Sequence, residues 1–342
     1  MAQINKPNTY FNTVLYTGNG STQSITGVNF QPDLVWFKNR TSVYNHKVYD
    51  VVRGVTKELN TNNNNTENTT TDEITSFDSD GFSVAGGSAV NQNTAGIVAW
   101  NWLAGGTASS NTNGSITSSV SNNSTAGFSV VTYTGDGNDN ATFGHGLGVT
   151  PDLIILKARG NTQNWWVSHK TFSSVSDAIQ LNNTNAVANQ AFAIKGKSAT
   201  TITLGIDFAV NQSGINYVSY CWNEVKGFSK FGSYTGNGSA EGTFIYTGFK
   251  PAFIILRRTD SAGFDWFLHD NKRNGFNPDN DYLQPNLDST ETNFDGLLDF
   301  VSNGFKLRTT STAYNASGAN YIYIAFAENP LVGTNNIPTT AR

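Results

Sequence analysis

The residues with chemical capacity are few and scattered: four histidines, one cysteine and 25 acidic side chains lie along 342 residues. His145 sits in a glycine-rich stretch, Gly144-His145-Gly146-Leu147-Gly148, where an imidazole can serve as a base or ligand. No serine, cysteine or carboxylate accompanies it at an informative spacing, so it reads as a loop residue. His169 and His269 occupy neighbouring columns of a recurring pattern and share no metal-binding geometry, and the single Cys221 excludes an intrachain disulfide or a cysteine-based metal site. Asp78-Ser79-Asp80-Gly81 holds a fragment of a calcium loop without its later acidic ligand, and a hairpin turn explains it more simply. Glu224, Asp260 and Asp265 are the acids available for glycan cleavage, with no spacing that marks a pair. The expectation is therefore no enzyme, with no catalytic residue, metal or cofactor. Trp165-Trp166 carries the binding hypothesis. Two large rings on opposite faces of a strand leave one able to stack on a sugar, against the plainer reading of one ring in a core and one in an interface.

The elements that must position these residues recur three times. Tyr16-Thr17-Gly18-Asn19-Gly20 returns as Tyr133-Thr134-Gly135-Asp136-Gly137 and as Tyr234-Thr235-Gly236-Asn237-Gly238. A second element begins at Pro32, Pro151 and Pro251 and runs into an apolar stretch that suggests a strand buried on both faces. A third covers Asn45 to Asp50, Asn164 to His169 and Asp265 to Asp270. Each copy closes on an alternating strand, Val98 to Trp102, Val218 to Trp222 and Ile322 to Phe326. Val98, Trp100 and Trp102 are assigned to a core face, with Val218, Tyr220 and Trp222 as counterparts; Cys221 falls on the other side. Copies one and three share a turn at Ser79 to Phe82 and Ser302 to Phe305, where copy two carries Ser198 to Thr201. The spacing of Gly227-Phe228-Ser229 from its Tyr-Thr-Gly exceeds that of Gly127-Phe128-Ser129 by one residue, which suggests a β-bulge.

No segment sustains a helical period beyond about two turns. The fold class expected is all-β: three tandem, jelly-roll-like β-sandwich domains from an internal triplication, with little helix. The boundaries read as an N-terminal arm at 1–10, domains at 11–103, 127–226 and 227–329, a Ser/Asn/Gly-rich linker at 104–126, and a tail at 330–342. Within the linker, Ser115 to Val120 has the pattern of an edge strand, and the polar tract Asn60 to Thr71 reads as a surface loop. Only 13% of residues are charged, against about 25% in ordinary domains, and the net charge is -4. That balance excludes an electrostatic polyanion binder. No stretch approaches the ~18 apolar residues of a membrane span, and Met1 to Lys6 lacks a signal-peptide core.

Tyr16 to Gly20, Gly27 to Lys38, Tyr49 to Gly54, Phe77 to Phe82 and Trp100 to Trp102, with Asp270 to Arg273 and Phe326 to Pro330 further on, resemble a domain family of uncharacterised function. That family recurs in structural and tail-fibre-like proteins of marine bacteriophages, and the resemblance covers all but the first ten and last dozen residues. It implies a virion protein made in the host bacterial cytoplasm and assigns no catalytic residue. The functional expectation is a tail-fibre or appendage component that attaches multivalently to a host surface glycan, working as a homo-oligomer (a trimer) among other virion proteins, with no nucleic-acid partner and no membrane insertion. The alternative is a capsid-decorating or connector protein of purely structural role, and a third reading is a polysaccharide depolymerase.

Overall fold

The computed structural model describes residues 2–273 and 277–332; the expected C-terminal tail from 333 onward lies outside the described residues. The chain is nearly all β, arranged as antiparallel sheets with sandwich packing. Three large sheets set its plan. The first runs, in spatial order, Phe11–Thr17, Gly96–Trp102, Leu34–Asn39, Lys47–Asp50, Lys57–Asn60 and Asn68–Thr69. The second has the same core order, Phe128–Thr134, Asn216–Trp222, Leu153–Ala158, Trp166–His169, Asp177–Gln180 and Ala188–Asn189. The third is Ser229–Thr235, Asn320–Pro330, Phe249–Arg258 and Phe267–Asp270. Each large sheet with its small companion sheet is here called a unit. The companions are built around Gly81–Val84, Thr201–Leu204 and Gly304–Leu307. Among the described residues helix is confined to two four-residue turns, Ser88–Asn91 and Phe208–Asn211, and one 3-10 turn at Pro7–Thr9.

Alternation along each strand divides its side chains between two cores. In Gly96–Trp102, Ile97 and Ala99 face the small sheet of unit 1, while Val98, Trp100 and Trp102 face away from it. Those outward residues do not meet solvent. They join Val218, Tyr220 and Trp222 of unit 2 and Ile322, Ile324 and Phe326 of unit 3 in one shared core. Trp102 lies 6.4 Å from Trp222 and 5.6 Å from Phe326, ring centre to ring centre. An apolar-lined cavity of about 30 Å³ remains at this junction. The face expected to be core is therefore the face that joins the units. Cys221 is buried on the opposite face, where burial pushes its thiol up to about 12 and leaves it inert.

Two polar stretches and one expected bulge depart in part from the sequence-based expectations. Residues 104–126 carry the strands Ser109–Asn111 and Ser118–Asn123, which extend the second sheet through Phe128–Thr134. Asp33 pins the start of this stretch by accepting from the Ala104 and Gly106 N–H groups. The strand expected at Ser115 to Val120 overlaps Ser118–Asn123, whereas composition hid Ser109–Asn111 because polar edge strands carry little apolar signal. The Asn60 to Thr71 tract lies at the surface over most of its length, as expected, but its start is built in: Thr61 is buried and its hydroxyl donates to Pro285 O of unit 3. The expected bulge is absent from Ser229–Thr235, which pairs without a register break. The irregularity falls instead in Phe249–Arg258, at Lys250, Pro251 and Phe253.

Candidate functional site

The units are closed on one another by equivalent contacts that run in one cyclic direction. The Glu67 N–H donates to Arg159 O, Val187 N–H to Thr259 O, and Glu291 N–H to Arg40 O, all at 2.9–3.0 Å. Buried cations reach across the same seams. Lys38 donates to Asp288 O, Lys157 to Asn64 O and Arg257 to Asn185 O. Burial pushes both lysines down to about 8. The Trp165 indole donates to Asn60 O of unit 1, and the Trp266 indole donates to Gln180 O of unit 2. His46 takes this position in unit 1, facing the Gln284 backbone, and burial holds it neutral.

The histidines and acids singled out from sequence have structural partners. His145 is buried, with its Nδ1 accepting from Leu147 N–H and Nε2 against Ser198 O, and burial pushes its pKa down. Asp80 accepts from the Gly27 and Asn29 N–H groups, and Asp78 accepts from the Ser83 hydroxyl, as a hairpin turn requires. Glu224 pairs with Lys170 and Lys230, Asp260 with Arg258, and Asp265 accepts from Gln284 and Asn286. Among the described residues no group of three His, Cys, Asp or Glu side chains is gathered as a metal site needs.

Trp165 is 1% exposed and stacks near Tyr220, 6.5 Å away, inside the shared core. Trp166 is 7% exposed and packs in the core of unit 2, so neither ring offers an open face of the kind that sugar stacking uses. One side of Trp166 borders a hollow of about 300 Å³ with Gln180, Asn185 and Gln190.

A larger hollow, about 430 Å³, opens where unit 1 meets unit 3. Its lining includes Asn8, Asn12, Asn29, Asn271, Lys272 and Glu328. Each wall has a local cause. Asn29 lies at φ +73°, a conformation asparagine tolerates, and the Asp80 carboxylate holds its N–H and that of Gly27. Asn12 Nδ2 donates to Gly27 O and Val28 O and ties this corner to the first strand. On the facing wall, Asp270 accepts from the Lys272 and Arg273 N–H groups and so fixes the turn that carries Lys272. Glu328 is held by Lys250 at 3.1 Å, beside the bulge in Phe249–Arg258. No motif joins residues 12, 29, 272 and 328 in sequence. Each lies inside or beside one of the recurring stretches, and only the closure of unit 1 on unit 3 brings them together.

Fold and site together define an all-β protein whose sheet units enclose a common core and leave a polar recess at a seam. Residues 6–330 match a family described as a domain of unknown function (DUF7483), and the chain belongs to that family. No curated protein matches it.

Proposed function

We propose that the protein is an exterior component of a bacteriophage particle, a tail-fibre or appendage part that attaches to a host surface glycan. The observation that carries this reading is the seam hollow, an amide-lined recess set between two sheet units rather than on a loop tip. Hydroxyl-rich ligands suit such a lining, because an amide both donates and accepts hydrogen bonds. The low charge of the chain supports a role at an exposed particle surface. Weak single seats gain avidity when many copies are displayed, and a homo-oligomer would multiply them further. The shared strand order of the large sheets supports an origin by triplication of one sandwich domain. Purified protein added before infection is expected to coat host cells and slow adsorption; failure of both contradicts the reading.

The second reading is a capsid-decorating or connector protein. It is favoured by rings left open at the outer ends of two units: Phe192 and Phe208 in unit 2, and Phe244 and Tyr246 in unit 3. Exposed apolar side chains of this kind suit a protein neighbour. Antibody labelling of particles separates the two readings by landing on the tail or on the capsid.

A further inference from the structure

The hollow between units 1 and 3 has a charge pattern that narrows its ligand. Lys6 and Lys272 both border it, both are exposed, and neither forms an ion pair among the described residues. The acid in the lining, Glu328, is matched by Lys250. The recess therefore carries an excess of positive charge over a bed of neutral amides. Its size falls in the range of small-ligand sites, which favour boundaries between packed units. The buried Phe11 is 1% exposed, so the lining offers no aromatic face on which a base could stack. The amide oxygens of the lining accept hydrogen bonds, to which a saccharide brings several hydroxyl donors and inorganic phosphate at neutral pH only one or two.

We propose that this hollow seats an acidic saccharide, its hydroxyls meeting the amides of Asn8 and Asn29 and its carboxylate meeting Lys272 and Lys6. The inference deepens the glycan-attachment reading, on which it rests for the kind of ligand, and depends on no particle location. A negatively charged sugar gains charge-assisted hydrogen bonds from the two ammonium groups that a neutral sugar of equal size does not.

The test uses the full chain, titrated by NMR with a galacturonate trisaccharide, a neutral galactose trisaccharide and inorganic phosphate. The acidic trisaccharide is expected to bind about tenfold more tightly than the neutral one, and to keep its affinity in an equal concentration of phosphate. Lys272→Gln is expected to remove most of that preference, while Lys306→Gln on the outer sheet of unit 3 leaves it intact. Both lysines are surface side chains, and unchanged melting temperatures will show that the variants fold. Equal binding of the two trisaccharides, displacement by phosphate, or full acidic preference in Lys272→Gln each overturns the proposal. Host-cell coating that persists without any galacturonate binding overturns this ligand class and leaves the attachment reading standing.

Discussion

Two of the seams between units are clamped by buried ions, and the third is not. At the seam of units 1 and 2, Arg53 of unit 1 binds Asp50 and Glu67, Arg159 of unit 2 grips Glu67 with two hydrogen bonds, and the Tyr220 hydroxyl donates to Asp50. At the seam of units 3 and 1, Arg273 binds Asp270 and Glu291, Arg40 grips Glu291, and the Trp100 indole donates to Asp270. At the seam of units 2 and 3 the corresponding places hold His169, Phe172 and Val187. His169 lies 3.3 Å from Tyr323 O, and Phe172 packs at the edge of the shared core. The crossing backbone hydrogen bond and the buried cation are common to all three seams. The backbone geometry of a seam thus does not require the ion network. What the network adds is mutual dependence: each buried charge is tolerable only while its partners are present.

The comparison can be broken by substitution, and the largest effect should come from the clamps. Arg53→Ala leaves the buried Asp50 carboxylate without its counter-charge and Glu67 with Arg159 alone, and is expected to lower unfolding free energy by about 3–5 kcal/mol, with Arg273→Ala close to it. A loss under about 1 kcal/mol in denaturant titrations would show that the clamps are dispensable.

Acid should act first through the buried histidines, His169 at the third seam and His46 at the seam of units 3 and 1. Burial pushes His169 down to about 4, below the ~6.5 of an unfolded histidine, so the unfolded chain takes up the proton first. Stability is therefore lost as pH falls from about 6.5 to 4, by roughly 3 kcal/mol from this residue. For the clamping carboxylates the sign is the same and the window lower. Burial alone would raise Glu67 and Asp270, but Arg159 with Arg53 and Arg273 with Trp100 outweigh it and hold both below the usual range. Their contribution is present above about pH 4 and lost as pH falls through the lowered values. Burial also holds His46 neutral, which adds acid sensitivity in the same window, so the difference between wild type and His169→Gln isolates the share of the third seam. Parallel pH profiles for the two proteins would contradict that share.

Phe172→Ala removes a half-buried ring and is expected to cost about 1–2 kcal/mol, independent of pH. The smallest effect sharpens the contrast most finely. A double-mutant cycle on Glu67 and Arg159 should give a coupling of about 1 kcal/mol. The same cycle on Val187 and Thr259, which meet through a backbone hydrogen bond, should give a value near zero.

Most strands were legible from alternation and turns, because apolar side chains at period two report burial directly. Leu34 to Lys38 read correctly as buried on both faces, as did the core face of Val98, Trp100 and Trp102. Alternation reports that a face is covered and is silent on what covers it, so the meeting of Trp102, Trp222 and Phe326 was out of reach. The third recurring element did place His46, Trp165 and Trp266 in equivalent positions. Which of the Trp165-Trp166 rings was covered, and by what, stayed open because an indole donor satisfied by a distant carbonyl, here Asn60 O, leaves no trace in composition. The seam hollow was illegible for the same reason: its amides belong to ordinary Asn-rich turns until two units close over them.

The central claim is that the units form one body on a shared core, and the two tryptophans whose indoles cross seams report on it directly. Trp165 crosses the seam of units 1 and 2, while Trp266 crosses the unclamped seam of units 2 and 3. Native-state hydrogen exchange of the two indole N–H groups, followed by NMR, reads the opening free energy of each seam. The account predicts the same protection for both, equal to the free energy of global unfolding. Early exchange at Trp266 with Trp165 still protected would show that unit 3 opens alone and would contradict it.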